Sequence, residues 1–436
     1  MNRQYWHSVT LDREICKGCT NCLKQCPTQA IRIQNGKAKI LKERCIDCGE
    51  CIRVCPYHAK KAVTDGFDIL QNYTYKIALV APAFYGQFSK AEDADLILTA
   101  LTGIGFDDVF EVARGAQAIS EATRTLLASG ELLKPAISSA CPAVAKLIAV
   151  RFPDLIPNII PLRSPMELSA ACARKEAMEK TGLPSEQIGI FFISPCAAKT
   201  TAVKDGLTVK HSEVDGVISI KDTYLKLAQE LKNIKEVKRL SNSGKAGILW
   251  ANSGGEARAT RADRTIAVDG IHNVINVLED IEDDKLHDID YVEALACPGG
   301  CVGGPLTAEN NFVARSRIER LAKPLPCEKL GIAPEIERMW DGAPIYRPVM
   351  KLDGDLQTAM QMAMRLEEIE NRLPGLDCGS CGSPSCHALA EDIVRGYAKE
   401  ADCIFVLKER LGTLIDQMMK LDAEIKPADV PKEENS

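Results

Sequence analysis

Sixteen of the eighteen cysteines fall into four sets of four. Two sets are tandem: Cys16, Cys19, Cys22 and Cys26 before Pro27, then Cys45, Cys48, Cys51 and Cys55 before Pro56. Both spell C-x2-C-x2-C-x3-C-P. The third set is dispersed, at Cys141, Cys196, Cys297 and Cys301. The fourth is compact, at Cys378, Cys381, Cys386 and Cys403. Thiolates are soft ligands, and four that converge can hold an iron–sulfur cluster or a zinc ion. Zinc knuckles do not use two such tandem runs, so the spacing favours iron–sulfur there and points to electron transfer. For the fourth set, zinc stays open as an alternative.

The bulk composition bounds the rest. At 436 residues and 46% hydrophobic, the chain should hold several domains and a large core. A net charge of −6 gives no electrostatic case for nucleic acid. No apolar run reaches the length of a bilayer span. Met1–Thr10 lacks the apolar stretch of a secretory signal. Thiols stay reduced in the cytoplasm, so eighteen cysteines there argue for metal ligands. The expected location is cytoplasmic. No phosphate-binding glycine motif is present: Gly103-Ile104-Gly105 is followed by Phe106 and two aspartates.

Around the cysteines, the chain reads as α/β. Residues 1–75 are a duplicated cysteine-dense module, each run followed by a short strand (Ala30–Ile33 and Lys61–Val63). Residues 76–350 alternate short apolar strands with amphipathic helices, the pattern of parallel sheets flanked by helices. Candidate strands are 77–80, 136–138, 189–193, 246–250 and 292–296; candidate helices are 118–129, 166–180 and 223–232. Each dispersed cysteine loop directly follows one of these strands. Ligands of open α/β sheets gather at the carboxyl ends of strands, so distant loops can meet there. Residues 351–403 carry a helix over 356–373 and the last cysteine set. Residues 404–436 are a patterned helix and a polar tail, Pro427–Ser436.

The tandem runs resemble bacterial two-cluster ferredoxins, which implies a 2×(4Fe–4S) fold. In such folds the fourth cysteine of each run ligates the other cluster. Cluster one would take Cys16, Cys19, Cys22 and Cys55; cluster two would take Cys45, Cys48, Cys51 and Cys26. Residues 1–75 are then an electron relay.

The dispersed loops read Ser138-Ser139-Ala140-Cys141-Pro142, Ser194-Pro195-Cys196-Ala197-Ala198-Lys199 and Cys297-Pro298-Gly299-Gly300-Cys301-Val302-Gly303-Gly304. Singly, each cysteine is a small core hydrophobe. Together, in this order, they resemble the catalytic domain of iron–iron hydrogenases over about 76–320. The resemblance implies that Cys141, Cys196, Cys297 and Cys301 hold the 4Fe–4S part of an H-cluster. Cys301 would also bridge to a two-iron site carrying CO, cyanide and azadithiolate. It implies that Lys199 donates to a cyanide, and that backbone at Pro82 and Ala83 faces a cyanide. Pro195, Gly300, Gly303 and Gly304 would border the cofactor, glycine permitting close backbone approach. Trp250 falls near the family's aromatic at the two-iron site, or is plain core.

The chain also departs from that pattern. Catalytic members carry a proton-transferring cysteine where this chain has Ala140, and a methyl group neither donates nor accepts a proton. The family's methionine is Ser194, and its glutamate after the lysine is Ala202. Glu121 fits one acid of the glutamate relay, while the next acid falls on Arg124. Metal ligands look intact and the proton wire looks cut. This combination resembles the sensory branches of the family, above all the branch lacking a PAS domain. The expected function is hydrogen sensing with slow, reversible splitting of H2 into protons and electrons. A catalytic hydrogenase using ferredoxin and a scaffold protein without the two-iron site are the alternatives. The implied cofactors are four 4Fe–4S clusters, counting the H-cluster cubane, plus the two-iron subsite.

The fourth set resembles the small 4Fe–4S domain of electron-transport complexes and corrinoid proteins. After it, Ile404, Leu407, Leu411, Leu414, Met418, Leu421 and Ile425 keep a 3–4 spacing. That seam predicts either a homodimer through 404–425 or packing on the helix's own domain. Other expected partners are a redox or signalling protein such as a kinase or phosphatase. Of the remaining residues, Cys172 reads as buried core, Cys327 as inert, His58 as surface, and Met360, Met362 and Met364 as core filler.

Overall fold

The computed structural model describes residues 6–89 and 93–425. The predicted tail Pro427–Ser436 lies outside them. The chain is mixed α/β and divides into two compact units: Met1–Cys16 with Ile40–Val349, and Lys17–Lys39 with Met350–Ser436.

In the first unit, β1 (Val9–Leu11) pairs antiparallel with β4 (Lys60–Ala62). The core sheet has the order β6 (Asp108–Glu111), β5 (Tyr75–Val80), β8 (Ile188–Ser194), β9 (Gly216–Ser219), with all pairs parallel. β8 is buried at every residue, which explains its unbroken apolar run, Ile-Gly-Ile-Phe-Phe-Ile: a central parallel strand is covered on both faces. A second parallel sheet runs β10 (Thr265–Asp269), β11 (Tyr291–Leu295), β7 (Ala136–Ile137).

Helices cover both sheets, and their ends are written in the sequence. The helix Pro165–Thr181 starts at Ser164, whose hydroxyl accepts from the Glu167 N–H, and carries proline at its first position. It stops at Gly182, in the left-handed conformation. The candidate strand at 246–250 is instead the helix Lys245–Leu249. A five-residue apolar run cannot be told from a buried helix turn by periodicity alone, and Ile248 is fully buried there. Strands β6, β9 and β10 are short and went unread.

The second unit contains β2 (Ile31–Gln34), which pairs with β3 (Lys37–Ile40), together with the helices Leu356–Arg372, Cys386–Val394 and Ile404–Ile425. Its core is Leu366, Ile369, Leu373, Leu389, Ala390 and Cys403. Met360 and Met364 are not core filler: they are exposed, because the buried face of that helix is the Leu366–Ile369 side. The last helix shows its apolar stripe to solvent, with Leu411 50% and Met418 71% exposed. Among the described residues, no helix is long and apolar enough to cross a membrane.

One buried ion pair ties the second cysteine run to the α/β core. The Asp47 carboxylate accepts from Ser8 N–H (3.0 Å), Val9 N–H (3.0 Å) and Thr201 Oγ1 (2.8 Å). The Lys146 ammonium lies 3.6 Å away with no hydrogen bond of its own. Removing one member of such a pair leaves an uncompensated buried charge. Asp47→Ala should therefore destabilise the fold by about 3–5 kcal/mol, read as a lower thermal unfolding midpoint. An unchanged midpoint would show that the pair contributes nothing.

Candidate metal centre

The three dispersed loops start where β7, β8 and β11 end. Cys141 sits immediately before the helix Pro142–Arg151 and Cys196 immediately before Ala197–Asp205. Both thiols thus stand at helix N-termini, where the backbone field favours negative charge. Cys301 opens a tight turn, Cys301–Gly303. All four cysteines line one cavity.

Burial pushes the Cys196 thiol up to about 12, with Cys297 and Cys141 adding repulsion. Burial also raises Cys297 and Cys301, again against neighbouring thiols. Four mutually repelling thiolates in a dry pocket are costly unless a cationic centre takes them as ligands. Half-buried Lys199 lies close enough to act on Cys301 and Cys196, and its ammonium donates to the Ala140 carbonyl at 3.3 Å. The Arg53 guanidinium lowers Cys297 and stands 3.4 Å from the Gly303 carbonyl. Soft donors with two cations around them fit an anionic iron–sulfur group.

The glycines make the cradle. Gly300 has φ +97°, and a Cβ there would fall 2.6 Å from the Ser253 nitrogen. A Cβ at Gly303 or Gly304 would fall 2.0 or 2.2 Å from the carbonyl oxygens of Pro298 and Pro195. Pro82, Ala83, Ala140, Pro195 and Trp250 also line the cavity. The Trp250 indole N–H donates to Ser120 Oγ at 3.0 Å, which fixes the ring.

Two site residues lie elsewhere. Ser194 is buried in its own turn, accepting from the Cys196 N–H and donating to the Cys196 carbonyl, each 3.0 Å. Glu121 accepts from Gln117 Nε2 at 3.3 Å and is not on the cavity wall. Arg124 faces Glu328, 3.6 Å away.

Two carboxylates on that wall escaped the sequence reading. Glu256 accepts from Ser138 Oγ (2.8 Å) and Tyr291 OH (2.6 Å). Glu293 accepts from the N–H groups of Gly254 (3.0 Å) and Ala257 (2.7 Å). Burial and the charge of Glu293 push Glu256 up to about 8; burial pushes Glu293 up to about 7. No local motif marks either residue. The available signal was an acid inside the apolar strand Tyr291–Leu295, since a buried charge has to be paired or neutralised.

In the second unit, the fourth cysteine set also converges. Burial raises the Cys381 thiol, and Cys403 and Cys378 lie near enough to add to it. The loop is braced by the Cys386 N–H donating to Asp377 at 2.6 Å. Such a donor set suits a cluster.

Comparison with known proteins is consistent with this geometry. The model described as "Iron only hydrogenase large subunit, C-terminal domain" matches residues 74–264 and 256–305. A 4Fe–4S dicluster model matches 8–56, and an Fe–S cluster model matches 373–405. The chain is 26% identical over 363 residues to the periplasmic Fe hydrogenase large subunit of Nitratidesulfovibrio vulgaris, covering 68% of this chain and 86% of that one. It is 24% identical over 260 residues to iron hydrogenase 1 of Clostridium pasteurianum, covering 48% and 44%. An FeFe hydrogenase structure from Chlamydomonas reinhardtii superposes with a TM-score of 0.47 at 17% identity, covering 63% and 95%.

The buried acids set a pH dependence. The unfolded Glu256 carboxyl ionises from about 4.5 upward, while the folded one keeps its proton to about 8. The folded state then binds more protons across that window, so stability falls as pH rises through it. Glu256→Gln should flatten the fall. A pH series of unfolding midpoints checks this, and an unchanged slope would show that Glu256 is not the group responsible.

Proposed function

Because the chain belongs to the iron-only hydrogenase large-subunit family, we propose that it is a hydrogen-sensing member that splits H2 slowly and reversibly. Electrons would pass through its 4Fe–4S clusters to a redox or signalling partner, with a kinase or phosphatase as the partner class. The observation that carries this reading is Ala140. It lines the same cavity as Cys141, Cys196, Cys297 and Cys301, and by the resemblance to catalytic members it stands where they carry the proton-transferring cysteine.

Cys141, Cys196, Cys297 and Cys301 would hold the cluster, with Cys301 also bridging to a two-iron subsite bearing CO, cyanide and azadithiolate. The chemistry this group supplies when bound is the interconversion of H2 with two protons and two electrons. Lys199 would donate a charge-assisted hydrogen bond to a cyanide, with the Pro82–Ala83 backbone facing the same kind of ligand. The methyl of Ala140 cannot carry a proton. Glu256 can hold one at its carboxyl, kept in place by Ser138 and Tyr291. General acid–base transfer needs a group within reach at each hop, and losing one slows turnover while leaving cofactor binding intact. A cytoplasmic location is part of this proposal, since thiols stay reduced there and remain available as metal ligands.

Turnover tests the reading first. Matured protein should evolve and oxidise H2 far more slowly than a catalytic hydrogenase in the same assay; comparable rates would overturn the proposal. Ala140→Cys should raise the rate by roughly 10–100-fold, below the full range of a well-placed acid–base group because Ser194 and Ala202 remain. A variant with intact infrared bands and unchanged turnover would show that this position does not limit the rate.

The ligand sets separate by spectroscopy. Cys301→Ala should abolish the CO and cyanide bands, whereas Cys381→Ala should keep them. Bands that survive the first change, or vanish in a folded form of the second, would refute the division.

The exposed stripe from Ile404 to Leu421 is proposed as a homodimer seam. An uncovered apolar face of that length is sticky in water. Light scattering should give a dimer for the full chain and a monomer for a chain ending at Cys403. Two monomers would rule the seam out.

A further inference from the structure

The second unit joins two cysteine loops that are far apart in sequence. Residues 17–39 carry Cys19, Cys22 and Cys26, and they pack with the C-terminal segment that carries Cys378, Cys381, Cys386 and Cys403. The contact is made by residues adjacent to the ligands. Gly379 follows Cys378, and a Cβ there would lie 3.1 Å from Leu23 Cδ2, where Leu23 follows Cys22. Gly382 follows Cys381, and its carbonyl accepts from the Ile33 N–H at 2.8 Å. The backbones are so close that a Cβ at Gly382 would fall 2.2 Å from the Ile33 oxygen. The Cβ at Gly379 would also lie 3.4 Å from Lys24 Cε.

An ion pair locks the two segments together. Arg32 Nε and Nη2 donate to the Asp392 carboxylate at 2.5 and 3.0 Å, both side chains being at most 10% exposed. Ser383 Oγ donates to the same carboxylate at 2.9 Å. Arg32 Nη1 donates to the carbonyls of Gln29 (2.8 Å) and Ile31 (3.1 Å). A bidentate, buried and fully hydrogen-bonded pair fixes both distance and orientation.

We propose that the C-terminal cysteine set is an electron outlet of the relay, exchanging electrons directly with the cluster held through Cys19 and Cys22, and that Arg32 and Asp392 are the positioning residues for that exchange. One electron leaves the cluster at Cys19 and Cys22, which is oxidised, and enters the cluster at Cys378–Cys403, which is reduced. No proton or bond is involved. Cys403 immediately precedes the helix that starts at Ile404, and its carbonyl accepts from the Leu407 N–H at 2.9 Å. The inference rests on the cluster assignments proposed above and goes beyond them by naming the C-terminal set's electron neighbour.

The test is electron paramagnetic resonance on the fully reduced, cluster-loaded full chain, with iron counted for each variant. The C-terminal signal is identified as the part lost in Cys381→Ala. In the wild type it should be broadened and fast-relaxing through the neighbouring spin. Arg32→Met should abolish that broadening with the iron count unchanged, and Arg32→Lys should restore part of it. A sharp, independent C-terminal signal in the wild type overturns the inference alone, as does broadening that Arg32→Met leaves unchanged. An iron count and spectrum with no cluster at Cys378–Cys403 overturns the cluster assignment and this inference with it.

Discussion

Thiolates buried together repel one another and lose their water, and this constraint organises the first unit. Cys196, Cys297 and Cys301 are driven toward their neutral forms by burial and by each other. Only a cationic metal centre reverses that preference, so the cavity makes physical sense when it is loaded. The surroundings serve the same end. Helices begin directly after Cys141 and Cys196, Lys199 and Arg53 bring positive charge, and Gly300 lets the backbone approach. The parallel sheets are what make this possible, because they collect loops from distant parts of the chain at one end.

Binding a metal group and feeding it protons are separable demands. The ligands require four thiols at fixed places, whereas proton transfer requires an unbroken series of titratable atoms. On the proposed reading, Ala140 interrupts that series while the four thiols are kept. The wall is nevertheless not inert. Glu256 and Glu293 are buried acids whose affinity for protons is raised into the neutral range, each with its oxygens held by donors. If the protein is the slow sensor proposed, these acids would still let it equilibrate with protons, and a sensor of H2 needs to reach equilibrium with its ligand rather than consume it.

How much of this was legible depends on how local the signal is. The two tandem cysteine sets announced themselves because ligand spacing is written directly in the chain, whereas the dispersed set was legible only through its resemblance to iron–iron hydrogenases. The strands leading into Cys141, Cys196 and Cys297 were readable for a related reason: buried parallel strands are continuous apolar runs. The stretch at 246–250 looked the same and is a helix, because helix and strand differ there only in what the run packs against. Glu256 and Glu293 were invisible, since their role comes from three-dimensional neighbours: Ser138 lies far upstream of Glu256, and Tyr291 far downstream. The Arg32–Asp392 pair was hidden likewise, with 360 residues between its partners.

The second cysteine run and the dispersed set are held together by the same logic. Asp47 lies between Cys45 and Cys48, in the second ferredoxin-like run. Its carboxylate reaches Thr201, on the helix that begins after Cys196, and Lys146, on the helix that begins after Cys141. One carboxylate therefore ties the ferredoxin-like run to both helices that present ligands. Arg53, two residues past Cys51, makes a second tie at the Gly303 carbonyl and Cys297. Gly49 makes a third, since a Cβ there would meet the Pro305 ring at 2.4 Å. Electron transfer depends steeply on separation, and these three contacts hold the second run against the cavity. Two of them also involve charge, so on the proposed reading the groups that fix the distance would also set the field at the cavity.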